Sequence, residues 1–167
     1  MTERYLEDYV VGTVTEHGPI EVDTAEVVDF GRRFDPQPFH VDAEAAAAGP
    51  FGGLIASGWH TCALMMRLLA RDYLSEASSL GSPGIDELRW LHPVRPGDRL
   101  TLRTTVKEAR PSRTKPDRGL VRTLVEMVRA DGEVVLRLRA MNLVLARPHP
   151  GGPGTQGGAP HGAPGAG

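Results

Sequence analysis

The chain has 167 residues and a mass of 18.0 kDa, is 40% apolar and 24% charged, and carries a net charge of −2. That is about one domain, too little chain for a separate nucleotide-binding half. The charge balance supplies no field for nucleic acid or an anionic membrane.

The last 20 residues hold 8 of the 20 Gly and 5 of the 14 Pro but none of the 40 charged side chains. Such a segment buries too little surface to offset its ordering entropy. The expectation is a folded domain over 1–147 and a disordered Gly/Pro/Ala-rich tail over 148–167, with truncation after Arg147 leaving activity intact. Cys62 stands alone, which excludes an intramolecular disulfide and a multi-cysteine zinc site. The acidic start from Met1 to Asp8 does not read as a presequence. The apolar stretch Trp59 to Ala70 carries His60 and Arg67 and is too short to span a bilayer. A cytoplasmic location is therefore expected.

Tyr9 to Val14 reads as a first strand, ended by His17-Gly18-Pro19 as a turn signal. Thr24 is a candidate N-cap for a short helix to about Phe34, with Ala25, Val28 and Phe30 among its apolar members. Asp35-Pro36-Gln37-Pro38 ends it, because prolines so close cannot continue a helix. Asp42 can cap a helix from Ala43 to Ala48, and Gly49 to Gly53 form a loop. Ser57 is a plausible N-cap for a segment from Trp59 to about Ser75 that is apolar almost all round. Its polar members His60, Arg67 and Arg71 share one narrow stripe. That pattern predicts a buried central helix.

Strand patterns fill the rest: Ile85 to Val94, Arg99 to Ala109, Gly119 to Ala130 and Glu133 to Ala146. Leu100, Leu102, Thr104 and Val106 alternate inward in the second of these. In the last, Val134, Leu136, Leu138 and Ala140 oppose Glu133, Arg137 and Arg139. Pro96-Gly97-Asp98 turns the chain, and Asp131-Gly132 is a two-residue hairpin signal. The fold class is α+β, an antiparallel meander curled around a helix.

Two stretches could carry chemistry. Asp35 and His40 lie five residues apart on a proline-stiffened turn, and an imidazole beside a carboxylate can move protons near neutral pH. The same pattern also fits an Asp-Pro turn with a solvated histidine. Phe51 to Gly58 brings glycines to the start of the central helix. Free N–H groups there, at Ser57 and Gly58, could face a developing oxyanion; an ordinary capped turn reads equally well. No G-x-G-x-x-G or G-K-[ST] nucleotide loop is present.

Together, Asp35-Pro-Gln-Pro-Phe-His40-Val-Asp42, the Gly52-Gly-Leu-Ile-Ala-Ser-Gly58 run and Leu88-Arg-Trp-Leu-His-Pro-Val-Arg-Pro-Gly-Asp98 resemble the MaoC-like acyl dehydratases and R-specific enoyl-CoA hydratases. The resemblance runs from about Asp8 to Ala146. It implies a hot dog fold, an antiparallel sheet wrapped around a long central helix. It implies reversible hydration of an enoyl-CoA, or dehydration of a 3-hydroxyacyl-CoA, with Asp35 and His40 holding the reacting water. Asp35 is then the favoured base, and the Gly58 N–H faces the thioester carbonyl. No metal or redox cofactor is implied, because the CoA thioester of the substrate acidifies its own α-proton. A homodimer or higher homo-oligomer sharing the cleft is expected. The chain departs from the family pattern at Gln37, where Asn is usual, at Ser57-Gly58-Trp59, where His-Gly-Met is common, and at Ala63, where some hydratases carry a small hydroxyl residue. These departures bear on substrate choice.

Trp59 and Trp90 could line an acyl pocket, but core packing is the expected role. His60 is expected on the surface at the helix end, His92 as structural, and Cys62 as a small hydrophobe. Arg113 and Lys115, in the basic loop 109–118, either bind CoA phosphates or form a solvated hairpin. Competing functions are a non-catalytic acyl-CoA-binding module and a thioesterase. The intact pair argues against the first, and the lack of an acid between Trp59 and Ala70 against the second.

Overall fold

The computed structural model describes residues 3–148; the expected tail therefore lies outside the described residues except for Pro148. Five strands form one antiparallel sheet in the order β1-β3-β4-β5-β2, with β1 Val14–Glu21, β2 Gly84–Trp90, β3 Arg99–Pro111, β4 Arg118–Arg129 and β5 Val134–Leu145. Four α-helices precede β2: α1 Thr24–Phe34, α2 Pro38–Val41, α3 Ala43–Ala48 and α4 Gly58–Leu68.

The inward alternation expected for β3 is present: Leu100, Leu102, Thr104 and Val106 are all buried. Leu100, Leu102 and Val106 share one core with Val121, Val125 and Met127 of β4 and Leu136 and Leu138 of β5. Helix α4 lies on this face through Leu64, Met65 and Leu68. Burial of these side chains is the main source of stability, at ~1.5–3 kcal/mol each. Beyond Leu68 the helix continues as one π-turn, Leu69–Tyr73, so the long central helix is real but changes its winding. At its far end the Tyr73 hydroxyl bonds Thr123 Oγ1 at 3.0 Å, and burial pushes the Tyr73 phenol up.

Several boundaries move. The first strand starts at Val14 rather than Tyr9, and His17-Gly18-Pro19 lies inside it as a bulge against Leu100 and Leu102. Pairing with β3 decides this: Tyr9 instead packs in the core beside Tyr73. Helix α1 is capped by Asp23, whose carboxylate accepts from Glu26 N at 2.8 Å, not by Thr24. Its buried apolar member is Val27, while Ala25 is exposed. Strand β2 ends at Trp90 because Leu91 and His92 both turn their N–H groups to the Val135 carbonyl. Residues 130–133 separate β4 from β5, with Gly132 at φ +90°, so the hairpin loop is longer than the Asp-Gly pair alone.

On the outer face of the sheet, Glu126 is buried between two guanidinium groups, Arg103 Nη2 at 2.9 Å and Arg137 Nη2 at 2.8 Å. Arg147 ties the end of the sheet to the N-terminal segment, bonding Asp8 Oδ2 at 2.7 Å. No helix among the described residues is long and apolar enough to cross a membrane.

Candidate active site

Asp35 is the first residue after α1, its N–H bonding the Gly31 carbonyl at 2.9 Å. The two prolines end α1 as expected, but Pro38 also starts α2, where its missing N–H costs nothing. That helical turn lifts His40 back over α1. The close approach needs Gly31: a Cβ there would stand 2.8 Å from Val41 Cγ1 and 3.1 Å from His40 Cβ. Local sequence carried no sign of this contact.

His40 is buried, and its Nδ1 lies 2.8 Å from the Ile55 carbonyl oxygen. A carbonyl only accepts, so Nδ1 carries a proton and donates it. The other ring nitrogen, Nε2, then faces Asp35 Oδ2 at 3.2 Å. Nε2 thus stands directly against a carboxylate oxygen.

Asp35 is held from three sides. Gln37 Nε2 donates to Oδ1 at 2.7 Å, Ser57 Oγ donates to Oδ2 at 2.7 Å, and His40 is the third neighbour. Gln37 and then Ser57 outweigh a modest burial effect, and with His40 they hold the carboxyl below its ordinary range. Asp35 is therefore ionised at neutral pH and aimed at one spot. The Gln37 that departs from the family pattern thus orients the carboxylate.

Ser57 caps α4 as expected, accepting from Trp59 N at 3.3 Å. Its single hydroxyl proton goes to Asp35, so the side chain serves this site as a fixed donor to the carboxylate. Gly58 is the first helical residue, and its N–H has no intrahelical acceptor. It lines the same cavity as Asp35 and His40. That cavity holds about 400 Å³ and is walled by Phe51, Trp59, Trp90 and Val94 among others. Asp35, His40, Ser57 and Gly58 are thus brought together; the separation of 22 residues between Asp35 and Ser57 is closed by one hydrogen bond.

Three expectations change here. Trp59 and Trp90 are not core residues: they are 58% and 46% exposed, meet edge to face at 5.3 Å, and line the cleft. His60 is buried, not on the surface. It stacks on Phe30 of α1 at 5.0 Å, its Nδ1 has no partner among the described residues, and burial pushes its pKa down. The polar stripe of α4 faces α1, where Arg67 also pairs with Glu26 at 3.2 Å. His92 lines the cleft, with Nδ1 at 3.3 Å from Glu133 Oε1; its place at the cleft mouth was not legible from its Pro93 neighbour. Cys62 packs against the core half-buried, and burial pushes its thiol up.

Arg113 and Lys115 are not brought to this cleft. They line a separate cavity of about 480 Å³ with Arg110 and Arg118, at the β3–β4 turn. Val135 of the cleft lies near the opposite end of β4, about 30 Å away at ~3.3 Å per residue. Among the described residues, no group of three or more His, Cys, Asp or Glu could hold a metal ion.

Comparison with known proteins agrees with this architecture. The sequence profile of the MaoC-like domain matches residues 9–129. The chain is 30% identical over 139 residues to the 3-hydroxybutyryl-CoA dehydratase of Methylorubrum extorquens, covering 80% of this chain and 83% of that one. The crystal structure of a MaoC-like dehydratase from Rhodospirillum rubrum superposes with a TM-score of 0.80 at 42% identity, covering 87% of this chain and 99% of that chain. The unliganded R-hydratase of Pseudomonas aeruginosa shares the fold, with a TM-score of 0.69 at 23% identity over 92% of this chain and 96% of that one. With its helix-wrapping sheet and the matched span covering most of the described residues, the chain belongs to the MaoC-like dehydratase family, hydro-lyases of the hot dog fold.

Proposed function

We propose that this protein reversibly hydrates a 2-enoyl-CoA to a 3-hydroxyacyl-CoA, with Asp35 and His40 as its catalytic pair. The observation that carries the reading is the opposition of His40 Nε2 to Asp35 Oδ2 at 3.2 Å, with Nδ1 pinned by Ile55.

In the hydration direction, Asp35 accepts a proton from water as the water oxygen bonds the β-carbon. The π electrons shift towards the thioester carbonyl, and the enolate oxygen forms against the Gly58 N–H at the positive end of α4. His40 Nε2 gives its proton to the α-carbon. The proton on Asp35 then crosses to His40 and restores the pair. Dehydration runs the same steps backwards. The thioester supplies the acidity of the α-position, so the reaction needs neither metal nor redox cofactor.

A cytoplasmic homodimer completes the proposal. Strand β2 is a sheet edge with free backbone groups. Along it and just beyond its end lie exposed Ile85, Trp90 and Leu91. An apolar edge of this kind suits pairing with a second copy. Arg113 and Lys115 form no ion pair among the described residues, unlike Arg110 with Glu108 and Arg118 with Asp117. They are proposed to take the phosphates of a CoA bound in the partner's cleft.

The test is a spectrophotometric hydration assay with crotonyl-CoA. Asp35→Asn and His40→Ala should each lose ~10²–10⁴-fold in kcat; full activity in both sinks the pair. Binding of acyl-CoA without turnover by the wild type identifies a binding module instead, and release of free CoA a thioesterase. Neutralising Arg113 and Lys115 together should raise KM for the CoA thioester, but not for a short thioester lacking the nucleotide. An unchanged KM removes their role.

A further inference from the structure

Beside the catalytic cleft lies a second cavity, of about 500 Å³, between α4 and the inner face of the sheet. Its walls are apolar, with Cys62, Met66 and Leu69 from the helix side and Ile85, Leu138 and Ala140 from the strands. Trp59 is the one residue that lines both spaces.

The two indoles at this junction are held differently. Trp90 Nε1 donates to the Gly58 carbonyl at 2.8 Å. Its ring lies so close over Gly58 that an added Cβ would stand 2.6 Å away. Trp90 is therefore fixed to the start of α4. Trp59 Nε1 finds no protein acceptor among the described residues, and the ring is 58% exposed. Its ring meets Trp90 edge to face, a contact worth about 0.5–1.5 kcal/mol beyond area burial. Trp59 also follows Gly58 directly. Trp59 thus lines the cleft next to the N–H proposed to face the thioester carbonyl.

We propose that Trp59 is the specificity-determining residue of this enzyme: it partitions the catalytic cleft from the apolar cavity and restricts the acyl group to short chains. Removing the indole joins the two spaces and gives a longer tail an apolar wall along α4. The proposal rests on the hydratase reading above.

The test compares kcat/KM for trans-2-octenoyl-CoA and crotonyl-CoA. Each additional buried methylene is worth roughly fourfold in binding, so Trp59→Ala should raise the octenoyl-to-crotonyl ratio by about 10- to 100-fold. Adding Cys62→Phe, which refills the cavity behind Trp59, should reverse the gain. Trp59→Leu, closer in volume, should raise the ratio less and serves as the measured variant should the alanine form fail to fold. An unchanged ratio in a folded variant that still hydrates crotonyl-CoA overturns the partition and leaves the hydratase reading intact. So does loss of the dimer in sedimentation without a change in ratio, which makes Trp59 an interface residue. Absence of any hydration by the wild type overturns both.

Discussion

Replacing Gly58 by alanine probes the joint on which the candidate site depends. The new Cβ would stand 2.6 Å from both Cε2 and Nε1 of Trp90 and 2.9 Å from Cδ2. Trp90 cannot yield while Nε1 stays bonded to the Gly58 carbonyl at 2.8 Å. Gly58 has helical geometry, so the cost is spatial rather than conformational. Overpacking costs about 1–3 kcal/mol, and a lost hydrogen bond about 0.5–1.5 kcal/mol. Trp90 is 46% exposed and can swing outward, which places the total near 1–2 kcal/mol. For a domain of this size, thermal unfolding followed by circular dichroism should then fall by about 3–8 °C. Catalysis should suffer more, because the N–H proposed to face the enolate and the wall of the cleft move together. A loss on the order of 10²-fold in kcat/KM for crotonyl-CoA is expected. Trp90→Leu makes room for the methyl group, so the double variant should lose less stability than the sum of the singles. Wild-type melting and turnover in Gly58→Ala would refute the packing of Trp90 on the helix start and the role given to the Gly58 N–H.

Ser57→Ala removes one of the donors that hold the Asp35 carboxyl down. The acid limb of the kcat/KM profile should therefore move to higher pH, whereas a purely structural role would lower the whole curve without moving it. Ser57→Thr should bring the limb back. At Glu126, burial pushes the carboxyl up but Arg103 and Arg137 more than offset it, so its folded value lies below its ordinary one. Its contribution is complete above the ordinary glutamate range, ~4.3, and is lost as pH falls through the lower folded value. Glu126→Gln should be less stable at neutral pH by about 1–2 kcal/mol, the two arginines being partly solvent-screened. Chemical denaturation of this variant should also show a flatter pH dependence below the ordinary range; an unchanged slope excludes the network as an acid-labile element.

The sequence by itself determined what depends on neighbours along the chain. Alternation placed Leu100 to Val106 on the inner face of β3, because side chains in a strand alternate with period 2. Asp42 and Ser57 cap their helices because a short acceptor there satisfies N–H groups that the helix leaves free. The Asp35 and His40 loop, with the motifs around it, was enough to indicate the family. Tertiary structure alone decided whatever needs a partner from afar. Strand β1 begins at Val14 because its register is set by β3, some 90 residues later in the chain. His60 turned inward because α1 packs on the polar stripe, and Trp59 and Trp90 turned outward because neither is enclosed by the sheet. The Ser57 hydroxyl could have faced a ligand until folding gave it Asp35 as an acceptor. The basic loop could have met the candidate cleft until the length of β4 separated them. A side chain's type states which bonds it can make, but only the packed chain supplies the atoms that take them.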